Sequence, residues 1–208
     1  MAEERIKVWG RLNSANVQKV LWCLADLGLR FEFSPTGGEH GGVDSQAFRK
    51  LNPNGLVPVI EDNDIVLWES NVIVRYLFRR YAPRTAYHED PVRQALDERW
   101  SDWYGTELGV HMTALWGFVK RGRPLPAEAF ERHRSRAMAL WGILDQALDG
   151  VQSIGGTELS TSDYVLGPAL HRWINLDIPR DATPRLSKWY STLCERPAYR
   201  QYVVNAPY

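Results

Sequence analysis

Three polar residues stand where an apolar strand gives way to an amphipathic helix, and together they could hold an anion. Glu69, Ser70 and Asn71 directly follow the apolar run Ile65–Trp68, and a helical pattern begins at Val72. The first N–H groups of a helix have no partner within the helix, and the helix dipole adds partial positive charge there. This turn is therefore a candidate site for a carboxylate or a phosphate.

The strand before this turn belongs to a predicted β-hairpin. Val57–Ile60 and Ile65–Trp68 flank the polar segment Glu61–Asp64, which is the pattern of two strands joined by a tight turn. Pro58 has no N–H to donate to a neighbouring strand, so we expect it at the beginning of its strand or at a sheet edge.

The segment Asn52–Pro58, with the sequence Asn-Pro-Asn-Gly-Leu-Val-Pro, and the later pair Glu69-Ser70 resemble the glutathione-binding half of a cytosolic glutathione transferase. The resemblance is to bacterial, theta-like enzymes of the serine type. It implies a cis peptide bond before Pro58, backbone pairing of Val57 with the cysteinyl residue of glutathione, and binding of the γ-glutamyl end by Glu69 and Ser70. An ordinary hairpin beside an amphipathic helix is the alternative.

A glycine-rich loop contains the next candidate, His40, between two glycine pairs and ahead of a short predicted helix at Ser45–Lys50. In theta-like enzymes, a histidine in a Gly-x-His segment at this place contacts the glycyl end of glutathione. An exposed loop histidine without a ligand is the other interpretation, and both stay open. The five histidines of the chain have no metal-ligand spacing, so we predict no metal site.

The chemistry that the resemblance implies needs a hydrogen-bond donor beside the sulfur of glutathione. A free thiol has a pKa of about 8.5 and attacks only as the thiolate, which a donor and a helix N-terminus would stabilise. The turn after the first predicted strand offers Asn13, Ser14 and Asn16. The resemblance favours Ser14. Many relatives carry proline where Asn16 stands, so both asparagines remain alternatives, and Ser14 could instead only cap a helix.

Residues that could contact a second substrate lie in two places. An aromatic and apolar stripe at helical spacing, which in this family faces the sulfur, contains Trp103, Tyr104, Met112 and Trp116. The same spacing is typical of a plain helical core. Arg11 lies in the turn beside the proposed sulfur site, where its charge could hold an anionic electrophile or could simply be solvated.

The order of predicted elements supports an α/β N-terminal unit. Ile6–Trp9 predicts a strand, a helix follows and ends at Gly28, and Leu29–Phe33 predicts the next strand. The hairpin and a helix ending near Tyr81 complete a thioredoxin-like arrangement.

The rest of the chain predicts an all-α domain. We place the thioredoxin-like glutathione-binding domain at 1–82, a linker at 83–93 and an all-helical second-substrate domain at 94–208. One long helix is expected to contain Gly105 and Gly109, each of which costs about 1 kcal/mol against alanine and so indicates a steric requirement. Helix N-caps are predicted at Asp90, Ser160 and Thr183.

Composition argues against several other classes of protein. The 25 basic and 25 acidic side chains cancel, which is not the pattern of a nucleic-acid-binding protein. No apolar run approaches the ~20 residues that span a bilayer, and the acidic start does not resemble a signal peptide. Cys23 and Cys194 lie far apart, as expected of reduced thiols in the cytoplasm. Cys23 falls on the buried face of a helix, which predicts a core residue.

Hypotheses from two classes follow from the resemblance. The first is a homodimeric transferase that conjugates the glutathione thiolate to a small electrophile, with glutathione as co-substrate. The second is a protein that keeps the fold and binds partners without turnover. Glutathione-dependent peroxidase or lyase chemistry in the same pocket is a third possibility.

Overall fold

The computed structural model describes residues 5–83 and 90–207, and these residues form two units. The first unit contains the described residues up to 83 together with Pro197–Pro207, and the second runs from 90 to Arg196. The expected second domain included every residue after 93, so the C-terminal segment departs from that expectation. The predicted linker lies largely outside the described residues.

The first unit is built on a four-stranded mixed sheet in the order β2-β1-β3-β4. Its strands are β1 (Ile6–Gly10), β2 (Phe31–Pro35), β3 (Val59–Asp62) and β4 (Ile65–Trp68). β1 runs parallel to β2 and antiparallel to β3, and β3 forms the predicted hairpin with β4. This sheet confirms the thioredoxin-like α/β fold, although β2 begins two residues later than predicted.

Between its strands and after them, the described part of this unit up to residue 83 contains the α-helices α1 (Ala15–Asp26), α2 (Gln46–Leu51) and α3 (Ser70–Tyr81). The apolar face of α1 is fully buried, and α1 packs on α3. Gly28 has a φ of 67°, which is the left-handed conformation expected of the glycine after a helix. These helices carry the β1–α1 turn and the β4–α3 turn, where the candidate residues lie.

The C-terminal segment packs in the first unit through aromatic contacts. Tyr199 is fully buried, and its ring meets the ring of Trp22 edge-on with 4.7 Å between centroids. The Tyr202 ring lies 6.0 Å from that of Phe31. Such pairs contribute about 0.5–1.5 kcal/mol beyond their buried area, which accounts for the association of this segment with α1.

The second unit is helical, with an irregularity that the sequence analysis did not predict. The expected long helix is divided into α4 (Pro91–Trp103) and α5 (Gly109–Arg121) by the π-helical segment Tyr104–Leu108. A Cβ atom on Gly109 would lie 2.8 Å from the carbonyl oxygen of Tyr104, so the wider turn requires glycine there. The remaining long helices are α6 (Ala127–Ala147), α7 (Thr161–Ile174) and α8 (Pro184–Glu195).

A buried polar network holds α7 against α4. Ser160 and Asp163 form the predicted capping box at the beginning of α7. The carboxylate of Asp97, on α4, accepts hydrogen bonds from the hydroxyls of Ser160 and Thr161, the latter at 2.7 Å. Because each buried oxygen is paired, the network adds to stability instead of costing free energy.

Candidate functional site

The turn between β4 and α3 has the features of an anion site. Glu69 has φ 72° and ψ 105°, a left-handed backbone that side chains other than glycine adopt at a cost of about 1–3 kcal/mol. Its side chain does not cap the helix. Ser70, the first residue of α3, is buried, whereas Glu69 is exposed. The strained backbone therefore lies at the N-cap position of α3, directly before the first N–H groups of the helix.

The segment before β3 is held in a fixed bend that ends in a cis peptide bond between Val57 and Pro58, as the resemblance implied. The buried amide of Asn52 organises this bend: its nitrogen donates to the carbonyl of Leu56 at 2.8 Å, and its oxygen accepts from the N–H of Asn54 at 3.0 Å. These bonds hold the segment that leads through Val57, which is partly exposed, into β3.

Ser14 lies at the beginning of α1 with an extended backbone, and its side chain makes no capping hydrogen bond. Ser14 thus occupies the N-cap position, and its carbonyl accepts from the N–H of Gln18, but its partly exposed hydroxyl makes no capping bond. The neighbouring Asn13 accepts a hydrogen bond from the guanidinium of Arg11 through its amide oxygen, which sets the orientation of that amide. Asn16 is exposed in the first turn of α1.

Arg11 lies against the loop that carries His40. A Cβ atom on Gly38, which has a φ of 60°, would come within 2.9 Å of Cδ of Arg11. Glycine is thus required at this position both by its left-handed backbone and by the close approach of the arginine. The side chain of His40 is 38% exposed, in the short helical turn that follows. The structure brings Arg11, Asn13 and this loop together on the first unit.

Lys19, to which the sequence pattern assigned no role, lies beside the β4–α3 turn. The side chain is on α1 and only 2% exposed. Its Nζ donates to Oδ1 of Asn71 at 3.0 Å and lies 3.5 Å from Oγ of Ser70. The sequence signal for this contact was the position of Lys19 next to Val20 within an apolar helix pattern. A lysine that is buried at such a position needs polar partners, because fully buried lysines are rare without them.

The proposed second-substrate residues of the second unit divide into two pairs. Met112 and Trp116 are buried, and Sδ of Met112 accepts a hydrogen bond from Nε1 of Trp141 at 3.4 Å. Met112 and Trp116 therefore fit the alternative interpretation, in which the stripe is a plain helical core. Trp103 and Tyr104 are partly exposed at the junction of α4 and the π-helical segment. Burial raises the pKa of the Tyr104 hydroxyl, so the phenol is neutral at physiological pH.

Among the described residues, neither a cluster of metal ligands nor the Cys23 thiol contributes to this site. The part of the chain that the structure describes contains no group of three or more His, Cys, Asp or Glu side chains that could hold a metal ion. Cys23 is fully buried in α1, as predicted, and burial raises the pKa of its thiol far above the usual range. None of the helices in the described segments is long and apolar enough to cross a membrane.

Comparison with known proteins gives concordant matches. The family model for the glutathione S-transferase N-terminal domain matches residues 10–85. The glutathione S-transferase GstB of Escherichia coli K12 is 37% identical over 206 residues, which cover 96% of this chain and 98% of that protein. The glutathione S-transferase APIC of Nicotiana tabacum is 26% identical, covering 93% of this chain and 95% of that protein.

A solved structure is similar over the same length. It is the theta class glutathione S-transferase from the citrus canker pathogen Xanthomonas axonopodis pv. citri, crystallised with glutathione bound. The TM-score is 0.90 at 37% identity, and the alignment covers 98% of this chain and 99% of that one.

Proposed function

Because the chain belongs to the glutathione S-transferase family, we propose that it binds glutathione and transfers it, as the thiolate, to a small electrophile. The observation that carries the proposal is the β4–α3 turn, where a strained Glu69 and the buried Ser70 stand at an anion-binding helix N-terminus. The same unit carries the cis bond before Pro58 and the turn that holds Ser14. Each part of the tripeptide thus has a chemically suitable counterpart.

The γ-glutamyl end of glutathione fits the β4–α3 turn. Its carboxylate would accept hydrogen bonds from the hydroxyl of Ser70 and the first N–H groups of α3, and its ammonium group would pair with the carboxylate of Glu69. The backbone of Val57, directed by the cis bond, would pair with the cysteinyl residue, and His40 would contact the glycyl end. The related Xanthomonas enzyme was crystallised with glutathione bound, which supports binding of glutathione by this chain.

Ser14 is the proposed donor to the sulfur. Its hydroxyl lies at the N-terminus of α1 without serving as a cap, so both the hydroxyl and the helix dipole can stabilise a thiolate. Each unit by which the thiol pKa falls represents about 1.4 kcal/mol of stabilisation. Asn13 and Asn16, in the same turn, are the alternative donors.

Trp103, Tyr104 and Arg11 are the residues that we propose for contacts with the electrophile. Trp103 and Tyr104 present partly exposed aromatic surface, and Arg11 would add positive charge. Met112 and Trp116 are buried in the core of the second unit and are not expected to touch substrate.

We also propose that the protein is a homodimer. Apolar side chains of β4 and α3 that would otherwise face water, Ile65, Trp68 and Val72, are each about two-fifths exposed. Exposed large apolar side chains of this kind are typical of an interface. In the second unit, Val92 and Leu96 of α4 are more exposed still. Sedimentation velocity should give twice the monomer mass, and a monomer at micromolar concentration would contradict the proposal.

The function is tested by retention on glutathione-agarose followed by a conjugation assay with chlorodinitrobenzene. We expect retention, elution by free glutathione and a rate above that of the uncatalysed reaction. Retention without turnover on a panel of electrophiles would favour the non-catalytic binding protein. Turnover confined to hydroperoxides would favour peroxidase chemistry. Failure to bind glutathione at all would contradict the proposal.

A further inference from the structure

The buried lysine of α1 contacts the two residues that begin α3. Nζ of Lys19 lies 3.0 Å from Oδ1 of Asn71 and 3.5 Å from Oγ of Ser70, and all three side chains belong to the first unit. An ammonium group has three hydrogens to donate and no lone pair to accept with. Both contacts therefore have a defined direction, with Lys19 as donor.

From this direction we infer that Lys19 is a positioning residue that prepares Ser70 to bind the γ-glutamyl carboxylate of glutathione. Because the Ser70 oxygen accepts from Lys19, its own hydrogen is directed to a different acceptor. Ser70 is 6% exposed, so its hydroxyl has few orientations to choose from. The inference rests on the proposed function, since it concerns the same bound tripeptide.

The charge of Lys19 has a second effect on the same atoms. The N-terminus of α3 already carries the positive end of the helix dipole, and a cation placed there adds to that potential instead of opposing it. Burial keeps water from screening the ammonium group, so its attraction for an anion at Ser70 is stronger than that of a surface lysine. The favourable partner for this combined potential is a carboxylate, and the α-carboxylate of the γ-glutamyl residue supplies one.

A specific consequence follows for ligand selectivity. Lys19 should favour glutathione over γ-aminobutyryl-cysteinylglycine, an analogue that lacks only the α-carboxylate and keeps the amino group, the thiol and the glycyl end. A lysine that merely supports the packing of α1 on α3 would affect both ligands equally. The comparison between the two ligands therefore separates positioning from general structural support.

The experiment measures the dissociation constants of both ligands by calorimetry in the wild type, Lys19→Met and Lys7→Met. Lys7 is a matched control because it lies on β1 of the same unit with its side chain 47% exposed, so its loss changes the net charge equally. We expect Lys19→Met to weaken glutathione binding by about tenfold or more and to change binding of the analogue by less than about twofold. Lys7→Met should leave both constants unchanged.

An equal loss for both ligands, or no loss for either, would overturn the inference while leaving the proposed function intact. A wild type that does not bind glutathione would contradict the proposed function itself. If Lys19→Met does not fold, as judged by its melting transition, the NH₃⁺ resonance of Lys19 in ¹⁵N-lysine-labelled wild type decides the question. Glutathione should shift this resonance and the analogue should not, and the same response to both ligands would overturn the inference.

Discussion

The buried His171 is expected to make the stability of the helical unit depend on pH. The imidazole lies on α7, 3% exposed, with Nδ1 2.9 Å from the hydroxyl of Tyr190 and 3.3 Å from Nδ2 of Asn175. Both neighbours can donate to an unprotonated Nδ1, which favours the neutral ring with its hydrogen on Nε2. Burial, with a smaller effect of the Arg172 charge, lowers the pKa of His171 to about 4.

The sign of the effect follows from comparing the folded and unfolded proteins. The pKa of His171 is about 4 in the folded protein and about 6.5 in the unfolded chain. Because the unfolded state binds the proton more tightly, the contribution to stability is complete above pH ~6.5 and is lost as the pH falls toward 4. At pH 5 these two pKa values give a loss of about 2 kcal/mol in the free energy of unfolding.

The measurement compares urea unfolding of the wild type and His171→Asn at pH 7 and pH 5. Asparagine keeps an acceptor for the Tyr190 hydroxyl but does not titrate. Asp163, whose pKa burial raises to about 6 against its hydrogen bonds, contributes with the opposite sign but is common to both proteins and cancels in the difference. We expect the stability difference between wild type and variant to change by about 2 kcal/mol in favour of the variant. A difference that is the same at both pH values would refute the reasoning.

Three further predictions concern the network and the site. Asp97→Ala should lower the free energy of unfolding by about 2–4 kcal/mol, because it removes a buried carboxylate that accepts from the hydroxyls of Ser160 and Thr161. Glu128→Ala, whose side chain is 88% exposed, should change it by less than about 0.5 kcal/mol, and similar effects in urea titrations would count against the network. Combined replacement of Glu69 and Ser70 by alanine should remove most of the glutathione affinity, at about 1.5–3 kcal/mol for each charge-assisted contact, while the fold stays intact by circular dichroism. Wild-type affinity by calorimetry would disprove the site. Arg11→Ala should slow turnover of a haloacetate more than that of its neutral amide, and an equal effect on both rates would exclude carboxylate binding by Arg11.

The parts of the site that could be predicted from the sequence are those formed by residues close together in the chain. Val57–Ile60 and Ile65–Trp68 predicted the hairpin, and the helix start after Glu69 was predicted as well, because turn chemistry and strand propensity act over a few residues. The cis bond before Pro58 was implied by the family resemblance. The capping box at the start of α7 was predictable for the same reason, because Ser160 and Asp163 are only three positions apart in the chain.

Features that depend on distant contacts were not predicted. The contact of Lys19 with Ser70 joins residues 51 positions apart, and burial rules alone place a lysine at the surface. Gly105 and Gly109 indicated a steric requirement in this helix, and only Gly109 makes a close approach. Neither glycine predicted the π-helical segment that begins at Tyr104. The C-terminal segment packs in the first unit through the contact of Tyr199 with Trp22, and the spacing of the tyrosines in the sequence does not predict that partner.

The central claim is that this protein stabilises the thiolate of bound glutathione through the turn that holds Ser14. Its most direct test is a titration of the ultraviolet absorbance of the thiolate in the glutathione complex, for the wild type and Ser14→Ala. The wild type should show a thiol pKa well below the ~8.5 of a free thiol, and Ser14→Ala should return it toward that value without abolishing binding. A thiol pKa in the wild-type complex equal to that of free glutathione would contradict the claim, and an unchanged low pKa in Ser14→Ala would assign the role to Asn13 or Asn16.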